Sequence, residues 1–254
     1  MRGEACSVKS YASCLCGELK KLAVRKKYLI LTIVMAAVSI ALTMLLMLAK
    51  EALSRESLSV TVNISMTLLP IFASAAVPLI GIMAVCDLFA SEYHSTAIKA
   101  QLLRPVTRFK IYTAKLTAAW LMCAVVMLAE FAVTALCSVF AGGGSGLWYA
   151  FGAYILDILP EIILILMAAL INQCTKSPTS AMYLSIIIYL AAKLSGYVSA
   201  SGSSMLFTSY MEWHRLWLGT ALPIRDLLTK CALLFGYGLT FFSGGYLLFL
   251  KKEF

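Results

Sequence analysis

The sequence predicts an all-α integral membrane protein with six transmembrane helices, and two observations support this fold class. First, 61% of the 254 residues are hydrophobic and only 13% are charged, with a mean hydropathy of +0.90. Soluble domains are about 45–50% apolar and about 25% charged, so this chain cannot cover its apolar surface within one soluble core. Second, the apolar residues form runs of about 20 residues, the length of a membrane-spanning helix, rather than the alternating ten-residue strands of a β-barrel.

The chain begins with an amphipathic segment, residues 1–27. Leu15, Leu19 and Leu22 form an apolar stripe. The remaining face is polar and carries Glu18, Lys20, Lys21, Arg25, Lys26 and Lys27. No small-residue cleavage site follows a short apolar core, so the segment is not typical of a signal peptide. We expect residues 11–27 to form a helix along the inner membrane surface and residues 1–10 to form a disordered basic tail.

Six apolar runs predict the membrane spans. In chain order they cover about 28–49, 68–89, 111–141, 147–171, 180–198 and 227–250. Pro70 and Pro78 are expected to bend the second span. Residues 199–226 mix Ser and Gly with aromatic residues and are too broken to span, which favours short broken helices at the outer face. The sequence therefore divides into an N-terminal interfacial segment, 1–27, and a single six-span transmembrane domain, 28–254.

The charge distribution predicts the orientation in the membrane. Six spans place both termini on one side, and that side holds most of the 21 Lys and Arg residues. Because loops rich in Lys and Arg stay in the cytoplasm, we expect both termini to be cytoplasmic in a cell membrane. The same rule accounts for the net charge of +9, so we expect no nucleic-acid partner.

A basic stretch at 91–115 separates the second and third spans. Its charged residues are Glu92, Lys99, Arg104, Arg108, Lys110 and Lys115. A helix that ends before Pro105 and restarts near Arg108 would form a short cytoplasmic knuckle, accessible to a soluble partner.

This stretch resembles the loop between the second and third spans of type-2 ABC transporter permeases. That family typically shows an acid, a Gly-Thr pair, an Arg-Pro-x-Ser/Thr-Arg element, an aliphatic residue and a Lys. The matching positions are Glu92, Ser95-Thr96, Arg104-Pro105-Val106-Thr107-Arg108, Ile111 and Lys115. Ser95 departs from the family's usual Gly. The amphipathic lead-in, the six spans and the broken outer segment extend the resemblance over nearly the whole chain.

The resemblance implies a permease subunit of an ABC exporter, with the knuckle acting as a coupling helix in a groove of a separate ATPase subunit. Carried over, the transmission residues would be Glu92, Arg104, Pro105, Arg108 and Lys115. ATP and Mg²⁺ would bind to the partner, and this chain would bind no cofactor. A second permease, identical or related, would complete the path, and the substrate would be an antimicrobial peptide or another amphiphile. The alternative is that these cations are ordinary positive-inside charges. We favour coupling for Arg104 and Arg108, whereas both interpretations stay open for Lys115.

Charged residues also occur inside the apolar spans, namely Asp87, Glu130, Asp157, Glu161 and Lys193. Each costs about 2.5–3.5 kcal/mol at the centre of a membrane helix, so each should face protein or water rather than lipid. We expect Lys193 to neutralise one or more of Glu130, Asp157 and Glu161. These charges would line an export path or lock the bundle together. Asp87 lies near the inner end of its span and is expected to reach water or the coupling segment.

The sequence offers little for enzyme chemistry. Its two histidines, His94 and His214, are predicted to lie at opposite membrane faces, so we expect neither catalytic nor metal-binding residues. No phosphate-binding Gly-rich loop with Lys-Ser/Thr is present. The leading alternative from another class is an ATP-independent transporter or channel that uses the buried acids as an ion path. A membrane-embedded enzyme is the less favoured third possibility.

Overall fold

The computed structural model of the chain describes residues 2–54, 63–89, 107–141, 146–175, 177–198, 205–217 and 224–251, and these residues contain helices and no strand. Six helical stretches are long and apolar enough to cross a membrane. They are Lys26–Ala49, Ile64–Leu88, Arg108–Phe140, Leu147–Cys174, Pro178–Gly196 and Leu227–Lys251. The predicted fold class, an all-α membrane protein with six spans, is confirmed.

We number the α-helices in chain order. They are α1 (Arg2–Val24), α2 (Lys26–Ser54), α3 (Ile64–Ile71), α4 (Val77–Leu88), α5 (Arg108–Phe140), α6 (Leu147–Asp157), α7 (Glu161–Cys174), α8 (Pro178–Val198), α9 (His214–Trp217) and α10 (Ile224–Lys251). A π-helix, Phe72–Ala76, joins α3 to α4, and a 3₁₀ helix, Phe207–Tyr210, precedes α9.

The N-terminal helix α1 is longer than the sequence suggested. It begins at Arg2, so the expectation of a disordered tail over residues 1–10 is wrong. The stretch contains no proline, and a helix started at its amphipathic part can continue through it. After Val24 the chain turns at Arg25 and enters α2, which places α1 directly before the first span.

The second span is interrupted where the sequence expected a bend. Pro78 has no N–H to donate to the carbonyl of Ser74 four residues earlier, and a π-helix forms at this point. The Ser74 carbonyl instead accepts hydrogen bonds from the Tyr189 hydroxyl at 2.7 Å and from the Lys193 ammonium at 3.0 Å, both on α8. A proline in one span thus creates the acceptor that holds another span.

The fourth span is also broken, by a turn at residues 158–160 between α6 and α7. The segment with the 3₁₀ helix and α9 packs beside this break, and Trp213 and His214 are buried there. The expectation of broken helices before the last span is therefore confirmed.

The second and fourth spans form the interior of the bundle. In their most apolar 18-residue stretches, 61% and 72% of the residues are buried, against 17% for the first, fifth and sixth spans. The three outer spans expose large apolar side chains such as Leu45, Ile187 and Leu247. These side chains suit the hydrocarbon of a bilayer.

The last span packs closely on the interior through a glycine. A Cβ atom at Gly245 would collide with the Tyr112 hydroxyl, which is buried and has no hydrogen-bond partner among the described residues. The Tyr112 ring lies 5.4 Å from the Phe249 ring and 5.7 Å from the Tyr246 ring, between centroids. The glycine therefore lets α10 approach this aromatic cluster.

We predict that Gly245→Ala lowers the thermal stability of the purified protein, because overpacking a filled site costs about 1–3 kcal/mol. Tyr112→Phe removes the colliding oxygen and should restore most of that stability in the double variant. Gly236→Ala is the matched control, since a Cβ there has nothing within 4 Å, and it should leave stability unchanged or raised. Equal melting temperatures for Gly245→Ala and Gly236→Ala would contradict this account.

Candidate functional site

Four helix ends meet at one membrane face, which we call the N-terminal face. Asp87 near the end of α4 pairs with Arg25 and Lys27 around the start of α2. The Arg108 guanidinium at the start of α5 donates to the carbonyl of Leu250 near the end of α10, at 3.0 Å. Residues 90–106, which contain the predicted coupling helix, lie outside the described residues, and they connect the end of α4 to the start of α5 at this face.

A fully buried ammonium lies at the centre of this face. Lys115 is 0% exposed and donates to the carbonyl of Leu88 at 2.8 Å and to the carboxylate of Glu18 at 3.3 Å. Its Nζ atom also lies 5.8 Å from the centroid of the Phe89 ring. Glu18 accepts a second ion pair from Lys21 at 2.8 Å. Lys115 therefore connects α1, the end of α4 and its own helix, α5.

A second acid at this face connects the elbow between α1 and α2 to α4. The carboxylate of Asp87 lies 2.8 Å from Arg25 and 2.5 Å from Lys27, and it accepts a hydrogen bond from the Tyr28 hydroxyl at 2.5 Å. Asp87 therefore contacts the elbow, and its expected contact with the coupling segment, whose residues 90–106 lie outside the described ones, stays a prediction. Since each acid bridges two cations, neither carboxylate is left uncompensated.

Together the two acids attach the interfacial helix to the two helix ends between which residues 90–106 run. Breaking a buried ion pair on one side costs about 3–5 kcal/mol, because an uncompensated buried charge remains. The contacts at Lys115 and Asp87 therefore join α1, the end of α4, α5 and the elbow before α2.

The structure describes two of the five predicted coupling residues. Arg108 is exposed at the N-terminal face, beside the carboxyl end of α10, where a cation is favoured by the helix dipole. Lys115 lies in the interior, so it cannot itself touch a soluble partner, and a role in coupling would pass through Glu18 and the carbonyl of Leu88. Glu92, Arg104 and Pro105 lie outside the described residues, and their roles stay predictions.

Two of the intramembrane acids have partners that the sequence did not indicate. Glu130 on α5 accepts a hydrogen bond from the Ser39 hydroxyl on α2. Asp157 at the end of α6 accepts from the backbone N–H of His214 and contacts the Nδ1 atom of the same residue, both at 2.7 Å. Asp157 and His214 are buried. Asp157 therefore holds the segment before the last span against the break in the fourth span.

Among the described residues Lys193 forms no direct ion pair with Glu130, Asp157 or Glu161, and its expected role in neutralising them stays a prediction. It lies within salt-bridge distance of neither Glu130 nor Asp157, and its ammonium binds the carbonyl that Pro78 frees at Ser74. Glu161 at the start of α7 is fully buried, and neither carboxylate oxygen has a hydrogen-bond partner among the described residues.

Sequence reasoning missed Glu18, Ser39 and His214 as partners. For Glu18 a signal existed, because it lies three residues after Leu15 and four before Leu22, on the apolar face of α1. Ser39 and His214 carry no local pattern that points to an acid 91 or 57 positions away. Among the described residues, no group of three or more His, Cys, Asp or Glu side chains could hold a metal ion.

We predict that Glu18→Gln destabilises the protein by about 3–5 kcal/mol, because it removes the carboxylate beside the fully buried Lys115 ammonium. Lys115→Met should cost less, because Glu18 keeps its ion pair with Lys21. The double variant should lose clearly less than the sum of the two. Thermal unfolding of the purified variants in mild detergent measures this coupling. Lys21→Gln, at a half-exposed site, is the control and should cost about 0–1 kcal/mol. Additive losses in the double variant would refute the pairing.

We also predict that Asp157→Ala exposes the segment of the 3₁₀ helix and α9. Amide hydrogen exchange over residues 205–217 should speed up more in Asp157→Ala than in His214→Ala, because only the first variant loses both contacts. Glu212→Gln removes the partner of the exposed Arg215 and should leave the exchange unchanged. If both alanine variants exchange at the wild-type rate, Asp157 does not hold this segment.

Comparison with known proteins gives one family. A family model described as ABC-2 family transporter protein matches residues 15–196, from the second half of α1 to the end of the fifth span and thus most of the chain. No curated protein matches the chain.

Proposed function

The chain belongs to the ABC-2 family of transporter proteins, and from this premise we propose that it is the permease subunit of an ATP-driven exporter, coupled to a separate ATPase subunit. The family forms the transmembrane component of ABC transporters, and this chain is a multi-pass membrane protein with six candidate spans. The single observation that carries the proposal is the family match over residues 15–196. The contacts at the N-terminal face supply the mechanism.

We place the N-terminal face in the cytoplasm. The cations around it include Arg25, Lys27, Arg108, Lys110 and Lys251, whereas few of the chain's Lys and Arg residues belong to the opposite face. Because membrane segments rich in Lys and Arg stay on the cytoplasmic side, this asymmetry favours the cytoplasm for the N-terminal face. The ATPase subunit, which would bind ATP and Mg²⁺, then meets residues 90–106. No catalytic step falls to this chain.

In this mechanism, closure of the ATPase subunits around ATP displaces residues 90–106, with Arg104 and Arg108 contacting acidic or carbonyl groups of the partner. The displacement enters the bundle at the end of α4 and the start of α5. Because Lys115 and Asp87 fix α1 and the elbow to these two ends, the first three spans move together. The bundle then rocks as a unit instead of deforming at the point of contact.

A path across the membrane requires a second permease, identical or related, since one six-span chain offers half of the expected assembly. The exported cargo would be an amphiphile such as an antimicrobial peptide. Glu130 and Asp157 bind within the protein, which favours a role in holding the bundle over a role in lining the path. The carboxylate of Glu161 has no hydrogen-bond partner among the described residues. Glu161 is therefore the residue that an ATP-independent ion path would use.

Co-purification tests the proposal. Wild-type protein extracted in mild detergent should retain an ATP-binding protein that mass spectrometry identifies, and Arg104→Glu/Arg108→Glu should lose it. Arg215→Glu is the control, because Arg215 is an exposed cation of the segment before the last span and should not affect retention. Melting temperatures establish that each variant is folded.

Retention of the ATPase by the double variant would refute the roles of Arg104 and Arg108 while keeping the permease assignment. Absence of any ATPase from folded wild-type protein would refute ATP coupling. In that case Glu161→Gln should abolish ion-gradient-driven transport.

A further inference from the structure

An apolar groove of about 590 Å³ lies between α5 and α10, with α7 and the turn before it as its floor. Its volume is in the range of roughly 300–1,000 Å³ found for small-molecule sites. On the side of the N-terminal face, the groove ends where the rings of Phe109 and Phe242 approach to 6.1 Å between centroids. At the other end lies Trp213 of the segment before the last span.

Three polar side chains of the groove, Thr113, Thr117 and Trp120, are hydrogen-bonded within the protein. The hydroxyls of Thr113 and Thr117 donate to backbone carbonyls four residues earlier, at 2.8 and 3.0 Å. The indole N–H of Trp120 donates to the carbonyl of Ile158 at 2.9 Å. The remaining lining is almost entirely apolar. Because these three side chains are already hydrogen-bonded and the rest of the lining is almost entirely apolar, the groove fits a hydrocarbon chain better than a polar ligand.

The groove opens sideways to the bilayer. Two of its lining residues, Phe235 and Leu239 on α10, are 73% and 59% exposed, and Ile162 on α7 is 43% exposed. All three lie within membrane spans. An occupant can therefore enter from the surrounding lipid without crossing water.

A basic rim lies below the groove at the N-terminal face. Arg108 precedes Thr113 by five residues, or about 7.5 Å along the helix, and Lys251 follows Phe242 by nine, or about 13 Å. Lys110 lies on the first turn of α5. A lipid whose chain fills the groove would place its headgroup among these cations, and such a rim favours an anionic headgroup.

We propose that this groove is a binding site for one acyl chain of an anionic phospholipid from the leaflet at the N-terminal face, with the lipid phosphate held by Arg108, Lys110 and Lys251. The apolar lining favours the acyl chain of the lipid, and the cationic rim favours its anionic headgroup. The site shares Arg108 with the predicted coupling residues and is separate from the intramembrane acids. It does not rest on the proposed exporter function.

Fluorescence quenching by brominated lipid tests the proposal. The background variant Trp148→Phe/Trp217→Phe removes the two exposed indoles and keeps Trp120 and Trp213, which line the groove. The protein, with any co-purifying partner, is placed in phosphatidylcholine nanodiscs. Phosphatidylglycerol with brominated acyl chains is then titrated in, and brominated phosphatidylcholine is titrated in a parallel series.

Two glycines of α10 provide a matched pair of variants. A Cβ at Gly238 would lie 3.9 Å from Leu166, an ordinary contact, so Gly238→Leu fills the groove without displacing the backbone. Gly236 is exposed with nothing within 4 Å of a Cβ, so Gly236→Leu alters the same helix outside the groove. Gly238→Leu should remove most of the quenching by phosphatidylglycerol, and Gly236→Leu should retain it.

The rim is tested by Lys110→Gln/Lys251→Gln. This variant should need on the order of 25-fold more brominated phosphatidylglycerol for half-maximal quenching, since each of the two cations near an anionic lipid contributes about a factor of five. Quenching that is equal for the two lipids, or equal in Gly238→Leu and Gly236→Leu, would overturn the proposal and indicate non-specific contact with bulk lipid. A complete lack of quenching would overturn it as well, because the groove would then be covered by protein.

Discussion

The structure depends on one constraint, namely that a charge inside the protein must find its compensation there. Lys115 is the clearest case, because its ammonium is fully buried and its acceptors include groups on two other helices, the carboxylate of Glu18 and the carbonyl of Leu88. These contacts decide where the amphipathic helix α1 lies, since apolar packing alone would let it turn or slide along the membrane surface. Asp87 repeats the arrangement at the elbow with two cations and a hydroxyl. The interfacial helix thereby becomes part of the bundle.

The same constraint operates deeper in the spans. Between helices in lipid, apolar side chains give little preference for one neighbour over another, so hydrogen bonds and close backbone contacts select the arrangement. Pro78 frees the carbonyl of Ser74, which then holds Lys193 of the fifth span, and Asp157 holds the backbone and ring of His214. Glu161 is the exception, since its carboxylate has no hydrogen-bond partner among the described residues. For this reason it is the intramembrane acid best suited to a functional role.

The fold was largely predictable because hydropathy and length determine the spans, and the broken stretch before the last span was visible in its Ser, Gly and aromatic residues. The helix over residues 2–10 was not predicted. The composition of these residues does not show that the helix of the following amphipathic segment continues into them. Glu18 was assigned to the polar face although its helical phase places it between Leu15 and Leu22. Partners such as Ser39 for Glu130 depend on tertiary contacts 91 positions apart, which no local pattern shows. The role of Arg104 stays a prediction from resemblance, because its position lies outside the described residues.

The central claim is that α1 and the start of α5 move as one body when ATP acts on the complex. The native cysteines are first replaced by alanine, because Cys16 and Cys174 are exposed free thiols. Spin labels at Lys20→Cys and Phe109→Cys, both exposed positions, then measure the distance between these helices by pulsed electron paramagnetic resonance. A second pair, at Phe109→Cys in two copies of the chain, reports the movement of the bundles. The account predicts that trapping ATP in the assembled complex shifts the second distance and leaves the first unchanged. A shift of the first distance would contradict it, because α1 would then slide over α5 and the contact between Glu18 and Lys115 would not connect them.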